Sequence, residues 1–524
     1  MQFVADLDTP LLKLSPSDYF TLRDACDGVH VFGGIGSGKT SGTGKTLASA
    51  YLRAGMGGIV MCAKPEEVHS WVAMAKANGR AQSVIVFDEN HGFNFIDYEL
   101  ARQGPRGISN VTECLIRVLE AADHATGGGG QGKDPFWAQA TRQVLNYTLP
   151  VLYAAYGTVT VPDIIEFVMT AATRADQQYH SNNEWARSSY AAQTLRKMAE
   201  NPKVPLTDPH ALNALASYWS RQFPVIPEKT RGNVLISLST RLDRLCHGRL
   251  RDAFCSRTTL VPEMTFHGSI IIMAMPVLSW NEDGVIGQQL FKFIWQRAVE
   301  SRNHLEEKQR VRPVFLWADE AQYFVAVKDD EFLSTCRGSR ACVVFLTQTL
   351  PTYYAKLGKD QSDAADGLVG KFNTQVFHQN ACNRTNTFAS QLIGRAIQVR
   401  NTSGASVGTN TNRGMNAGSN TGHGNSHSAG GSSGNGGSSS SYSSGSTSSS
   451  GQNWGDNVGR GRNESQSWGT NETMDYIIEP MFFASRLMSG GPKHGNKVSA
   501  VWFKAGGHFR DMRGGNFLFS TFQQ

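Results

Sequence analysis

The chain has 524 residues, 40% of them hydrophobic and 18% charged, with a formal net charge of +6. That length holds two or three domains and at least one large core, and the modest charge neither demands a polyanionic partner nor excludes one. No uninterrupted apolar stretch reaches the roughly 18 residues of a membrane-crossing helix, and the eight cysteines include no C-x-x-C pair, so they read as reduced thiols used as small core residues rather than zinc ligands.

In chain order, "VHVF" (29–32) is an apolar strand that runs straight into a glycine loop and a helix near "LASAYLRA". "GGIVMCA" (57–63) and "SVIVFD" (83–88) read as two more buried strands, and strands alternating with helices predict a mostly parallel sheet covered on both faces. From about 100 to 260 the periodicity turns helical. Thr160 is an N-cap candidate before a first-turn proline, and Val234, Leu238, Leu242 and Leu245 share roughly one helical face. "HATGGGGQGKDP" is expected as a flexible loop within this stretch. Strands return at 268–276, 313–319, 341–348 and 374–380. Much of the excess of 54 glycines is local: residues 401–470 are almost wholly Gly, Ser, Asn and Thr. Such a composition cannot bury enough apolar surface to offset its chain entropy, and disorder is expected there. "KVSAVWFKAG" reads as a last strand.

Residues Gly33, Gly34, Ile35, Gly36, Ser37, Gly38, Lys39 and Thr40, "GGIGSGKT", fit G-x-x-x-x-G-K-[ST] at every position. The glycines let backbone N–H groups converge on a phosphate, Lys39 adds a point charge, and the Thr40 hydroxyl suits Mg2+. A second "GKT" at 44–46 fails the pattern. Counting back from Gly44 puts Lys39 where the opening glycine belongs, and no strand precedes it, so Lys39 and not Lys45 is the phosphate lysine.

A phosphate loop needs an acid at a neighbouring strand end. "PVFLWADEAQYF" supplies Asp319, a metal-holding candidate, and Glu320, suited to orienting and polarising an attacking water. Gln348 closes the next strand on the same side, where it either senses the γ-phosphate or helps place the water. Arg337 and Arg340 precede that strand; they read either as surface arginines or as a finger reaching a neighbouring subunit's nucleotide. ATP and Mg2+ are the expected ligands.

The order of these parts resembles the type IV secretion and conjugation coupling proteins, TraD/TraG-like ATPases of the FtsK–HerA superfamily. The strand–"GGIGSGKT"–helix unit, "GFNFID", a helical insertion, "FLWADEAQYF", "RGSRACVVFLTQT" and the late "IIEPMFFASRLM" carry it. The resemblance implies a RecA-like core, a homohexameric ring, and ATP hydrolysis that moves DNA or a relaxase–DNA complex to an inner-membrane secretion channel. Arg337 best matches that family's finger arginine, with Arg340 the alternative. Three departures stand out. Only 32 residues precede the loop, with no apolar span, so a bacterial cytoplasmic protein is expected, with any attachment to the inner membrane made through partners. "CAKPEEV" follows the second strand where the family often has an aspartate, and the Gly/Ser-rich insert is long.

Between Arg221 and Arg257 basic residues outnumber acidic ones, which makes Arg231, Arg241, Arg244, Arg249 and Arg251 candidates for DNA-backbone contacts that ignore sequence. The expected organisation is 1–100 and 261–400 as two parts of the ATPase domain, 101–260 as an inserted helical domain, 401–470 as a disordered insert, and 471–524 as the end of the ATPase domain. The leading expectation is a DNA-translocating coupling ATPase. Two alternatives are a soluble HerA/FtsK-like double-stranded DNA pump and a nucleotide-switched adaptor for protein cargo.

Overall fold

The structure, a computed structural model, describes residues 3–125, 135–178, 184–306, 310–326, 329–357, 362–414, 422–434, 437–449 and 457–524. It divides into two units, Met1–Asn386 with Phe483–Gln524, and Thr387–Phe482.

The first unit opens with a small antiparallel pair, β1 (Pro10–Lys13) and β2 (Tyr19–Thr21). Its main sheet holds β3 (Val29–Phe32), β4 (Gly57–Met61), β5 (Val84–Phe87), β6 (Ile270–Met273), β7 (Val314–Ala318), β8 (Ala341–Thr347) and β9 (Thr374–Phe377), each within or at one of the apolar runs of the sequence. Two more strands, β14 (Lys497–Lys504) and β15 (Phe517–Gln523), complete nine in the order β15-β14-β9-β3-β8-β7-β4-β6-β5. The seven from β9 to β5 run parallel, and β14 and β15 are antiparallel. β14 is therefore not the last strand, as its sequence suggests. β15 alternates buried and exposed residues, the pattern of a one-sided edge strand.

Every residue of β3, β4, β7 and β8 is buried, as central parallel strands covered on both faces require. On one face, helix Lys45–Arg53 buries Leu47, Ala48, Tyr51 and Leu52, and helix Pro65–Ala77 adds Trp71. Trp71 stacks on Phe315 at 5.7 Å and meets Trp317 edge-on at 5.2 Å, so rigid aromatic rings lie beneath the end of β7.

From Phe95 to Phe254 the described residues form helices and no strand. Thr160 caps helix Val161–Thr170 in a reciprocal box with Asp163, as expected, and Val234, Leu238, Leu242 and Leu245 are all buried. Most of the glycine loop expected near 124–135 lies outside the described residues. All eight cysteines are free thiols.

In the second unit β10 (Arg395–Gly414) pairs antiparallel with β13 (Asn457–Tyr476), and β11 (Gly422–Gly434) with β12 (Gly437–Ser449). This paired backbone departs from the disorder expected over 401–470. Apolar burial does not account for the pairing: Val407 within that range, and Ile397, Val399 and Met474 beside it, are exposed. Ladder hydrogen bonds need no apolar core, so composition does not register them.

Candidate functional site

Parallel pairing brings several strand ends to one edge. Phe32 of β3 lies opposite Thr347 of β8 and Phe377 of β9, while Ala318 of β7 lies opposite Phe345 of β8 and Met61 of β4. The residues after these strands therefore meet at the carboxyl edge, where open α/β sheets bind ligands. β8 separates the loop strand from the acid strand, which spaces them about 10 Å apart and sets Gln348 between them.

The loop continues from β3, and the Gly33 amide donates to the Thr347 carbonyl at 3.2 Å. Gly38 has φ +79°, and a Cβ there would come within 2.5 Å of Val498 Cγ2, so both conformation and space require glycine. The helix then opens with one π turn, Lys39–Gly44, before the α-helix Lys45–Arg53. Gly44 is where that turn passes β8; a Cβ would meet Leu346 Cδ2 and the Lys39 carbonyl at 3.1 Å. The glycine that opens the second "GKT" thus closes a wide turn.

A cavity of about 720 Å3 opens here, lined by Gly34 through Ser41, Lys64, Glu67, Asp319, Glu320 and Gln348 among others. Lys39 is buried, with Nζ 3.4 Å from Glu320 Oε1 and 4.0 Å from Asp319 Oδ1. The Thr40 hydroxyl donates to Asp319 Oδ2 at 2.6 Å. Gln348 Nε2 donates to both Glu320 oxygens, at 3.3 and 3.2 Å, and Gln322 Nε2 to Oε2 at 2.9 Å. Glu320 sits in the left-handed region at φ 54°, an uncommon conformation for a side-chain-bearing residue and one that recurs at functional sites. Burial pushes its carboxyl up, but Lys39, the two glutamine amides and Lys64 outweigh burial and hold it below the ordinary glutamate range. Lys45 also lines this cavity and is exposed.

Among the described residues no group of three or more His, Cys, Asp or Glu is placed to hold a metal. One hydroxyl and one carboxylate in contact, Thr40 with Asp319, nevertheless fit Mg2+, which keeps most of its waters and takes its other ligands from phosphates.

Sequence reasoning missed several residues here. Lys64 follows β4 with Nζ 3.3 Å from Glu320 Oε1. Glu67 accepts from the Ala63 and Lys64 amides at 2.7 and 3.3 Å, and burial with the nearby Asp319 charge pushes its carboxyl up to about 8. Asn380 donates to the Gln348 carbonyl at 2.7 Å. His378 bonds Thr43 Oγ1 at 2.9 Å. The available signal was position: each of Lys64, His378 and Asn380 follows β4 or β9 of the parallel sheet by one to three residues.

The structure does not bring Arg337 or Arg340 to this cavity. Both precede β8, at the opposite sheet edge, about 20 Å of strand away. Arg337 pairs with Asp27 at 3.1 Å, and Arg340 donates to the Ala5 and Val311 carbonyls. Of the proposed DNA contacts, Arg231 is corrected: it is buried, with Nη1 donating to the Pro224 and Ile226 carbonyls. It lies three residues before Val234, on the inward face. Arg244 pairs with Glu282 and Asp283, Arg249 lies over the Trp280 ring at 5.1 Å, Arg251 is exposed and Arg241 half-buried.

Residues 313–467, which begin one residue before the acid strand, match the family model described as the TraM recognition site of TraD and TraG. Over that stretch, less than a third of its length, the chain is similar to TraD and TraG. Three solved structures of the conjugative coupling protein TrwB share the fold of this chain. TrwB in complex with ADP and Mg2+ aligns with a TM-score of 0.52 at 14% identity, covering 99% of this chain and 89% of that one. The unbound monoclinic form of TrwBΔN70 gives 0.50 at 14%, covering 99% and 89%, and the ADPNP complex 0.50 at 14%, covering 99% and 90%. At that identity the likeness is one of fold, a RecA-like core with a mostly parallel sheet. No curated protein matches this chain by sequence. Among its described residues no single helix is long and apolar enough to cross a membrane.

Proposed function

We propose that this chain is a coupling protein, an ATP-hydrolysing motor that moves DNA, or a relaxase–DNA complex, towards a secretion channel. The observation that carries the reading is the meeting of Lys39 and Thr40 with Asp319 and Glu320 in one cavity at the carboxyl edge.

In this reading the amides of residues 33–40 and the Lys39 ammonium bind the triphosphate. Thr40 and Asp319 hold Mg2+, which when bound neutralises phosphate charge. Glu320, ionised at neutral pH, accepts a hydrogen bond from the attacking water and aims it at the γ-phosphate. Gln348, already bonded to Glu320, shares that water or the γ-phosphate. Because Arg337 and Arg340 lie at the far sheet edge, an arginine finger acts from a neighbouring subunit of a homohexamer, and Arg337, exposed and on the surface, is the better of the two. Exposed Arg244, Arg249 and Arg251, with half-buried Arg241, meet the DNA backbone without reading sequence. The name of the family matched by 313–467 adds a protein partner, a TraM-like component of the DNA-processing complex.

The test is ATP hydrolysis by wild type, Lys39→Ala and Lys45→Ala, with and without single- and double-stranded DNA. DNA is expected to raise the rate, Lys39→Ala to lower it at least about 100-fold, and Lys45→Ala to leave it near wild type. Turnover that ignores DNA would replace the motor with a nucleotide-switched adaptor.

A further inference from the structure

One charged side chain of the cavity belongs to none of the motifs. Lys64 lies three residues beyond β4 and immediately before helix Pro65–Ala77. Its Nζ is 3.3 Å from Glu320 Oε1, and Lys39 Nζ is 3.4 Å from the same oxygen. Two ammonium groups from different elements thus share Oε1, while Oε2 takes the amides of Gln322 and Gln348.

The backbone beneath Lys64 is braced from both directions. Glu67 receives the Ala63 and Lys64 amides, and the fully buried Gln288 side chain accepts from the Cys62 amide at 2.8 Å and donates to its carbonyl at 2.9 Å. Only the lysine stem is left to move, and its side chain is 45% exposed. A half-exposed pair contributes little to folding stability. The bracing therefore serves the placement of the ammonium more than the stability of the fold.

We infer that Lys64 is a positioning residue for Glu320, holding the water-polarising carboxylate in place when Lys39 is drawn to the phosphates. The inference rests on the hydrolytic reading given above. Lys39 has two demands on one ammonium, the triphosphate and Oε1, and its 3.4 Å contact with Oε1 is already long. Once Lys39 turns to phosphate, Lys64 is the cation that remains on that oxygen. Glu320, in its left-handed conformation, is then held by Lys64 on Oε1 and by the two glutamines chiefly on Oε2.

The experiment compares wild type, Lys64→Met, Lys64→Arg and Glu320→Gln for kcat and KM of ATP hydrolysis, binding of a fluorescent ATP analogue, and melting temperature. Lys64→Met is expected to lose roughly 10- to 100-fold in kcat, the worth of one hydrogen bond to a charged group. KM, analogue affinity and melting temperature stay at wild-type values, and Lys64→Arg regains most of the rate. Wild-type kcat in Lys64→Met, with Glu320→Gln inactive, overturns the role of Lys64 and leaves the hydrolytic reading standing. A loss confined to KM makes Lys64 a substrate-binding residue and also overturns the inference, as does a fall in melting temperature that accounts for the lost rate. Absence of turnover in wild type overturns both readings.

Discussion

Lys292→Met is a perturbation whose cost follows from the surroundings of one buried ion pair. Lys292, on helix Glu282–Ser301, and Asp329 are each 2% exposed, and Nζ donates to Asp329 at 2.8 and 2.6 Å and to the Phe324 carbonyl at 2.6 Å. All three ammonium protons are used. Asp329 also receives Gln296 Nε2 and the Ala326 amide, both at 2.8 Å. Methionine keeps the stem but leaves a carboxylate in the interior with two neutral donors, a change that costs about 3–5 kcal/mol. Lys292→Met/Asp329→Asn removes both charges together and keeps an amide oxygen as acceptor for Gln296 and the Ala326 amide. What remains is chiefly the Phe324 carbonyl without its donor, about 1–3 kcal/mol. Urea unfolding followed by tryptophan fluorescence measures both variants, and Trp295, buried on the same helix, reports locally. The double variant is expected to be the more stable of the two. A single-variant loss below about 1 kcal/mol, or a double variant no better than the single, would show that this pair is not the anchor its geometry describes.

Burial depresses His30 and His378 to about 3, with Lys39 adding to the effect at His378. A depressed folded-state pKa makes the unfolded chain bind more protons, so stability is full above about 6.5 and falls as pH drops towards 3, by up to about 1.4 kcal/mol per pH unit for each histidine. Thermal melts between pH 7.5 and 5 should show that slope, and His30→Gln should reduce it. Asn380→Ala removes the donor to the Gln348 carbonyl and is expected to lower turnover roughly 10-fold with ATP-analogue binding retained. Arg231→Ala should destabilise the fold by about 1–3 kcal/mol without changing the salt dependence of DNA binding, whereas Arg249→Ala/Arg251→Ala should flatten that dependence at unchanged stability.

The parts of the site that lie on regular strands were legible in the sequence. β3, β7 and β8 are apolar runs, and the residues that end them, Gly33 to Thr40, Asp319, Glu320 and Gln348, line up because parallel strands in register must end together. Lys64 and Asn380 obey the same rule but belong to no motif, so only the sheet order reveals them. Arg231 misled because a count of basic residues ignores direction; its spacing from Val234 already placed it on the inward face. The second "GKT" fails the spacing pattern, yet Gly44, which opens it, and Gly42 before it have a task that no spacing rule contains, letting a π turn pass between Val498 and Leu346. The paired backbone of β10 to β13 stayed hidden because hydrogen bonds between glycine- and serine-rich strands leave no hydrophobic periodicity to read.

The chain departs from the sheet just after β9 and comes back at a point almost touching its departure: the Asn380 amide donates to the Phe483 carbonyl at 3.1 Å, and Gln379 Nε2 to the Ala484 carbonyl at 3.3 Å. Gly34 of the phosphate loop donates to the Gln379 carbonyl at 2.8 Å beside this doorway. For a stretch whose ends already meet, doubling the length between them adds only about 0.6 kcal/mol of closure entropy. The stretch between the two jambs, which includes the repetitive Gly/Ser-rich tract, can therefore be lengthened or shortened at little cost in closure entropy while the cavity beside them keeps its form.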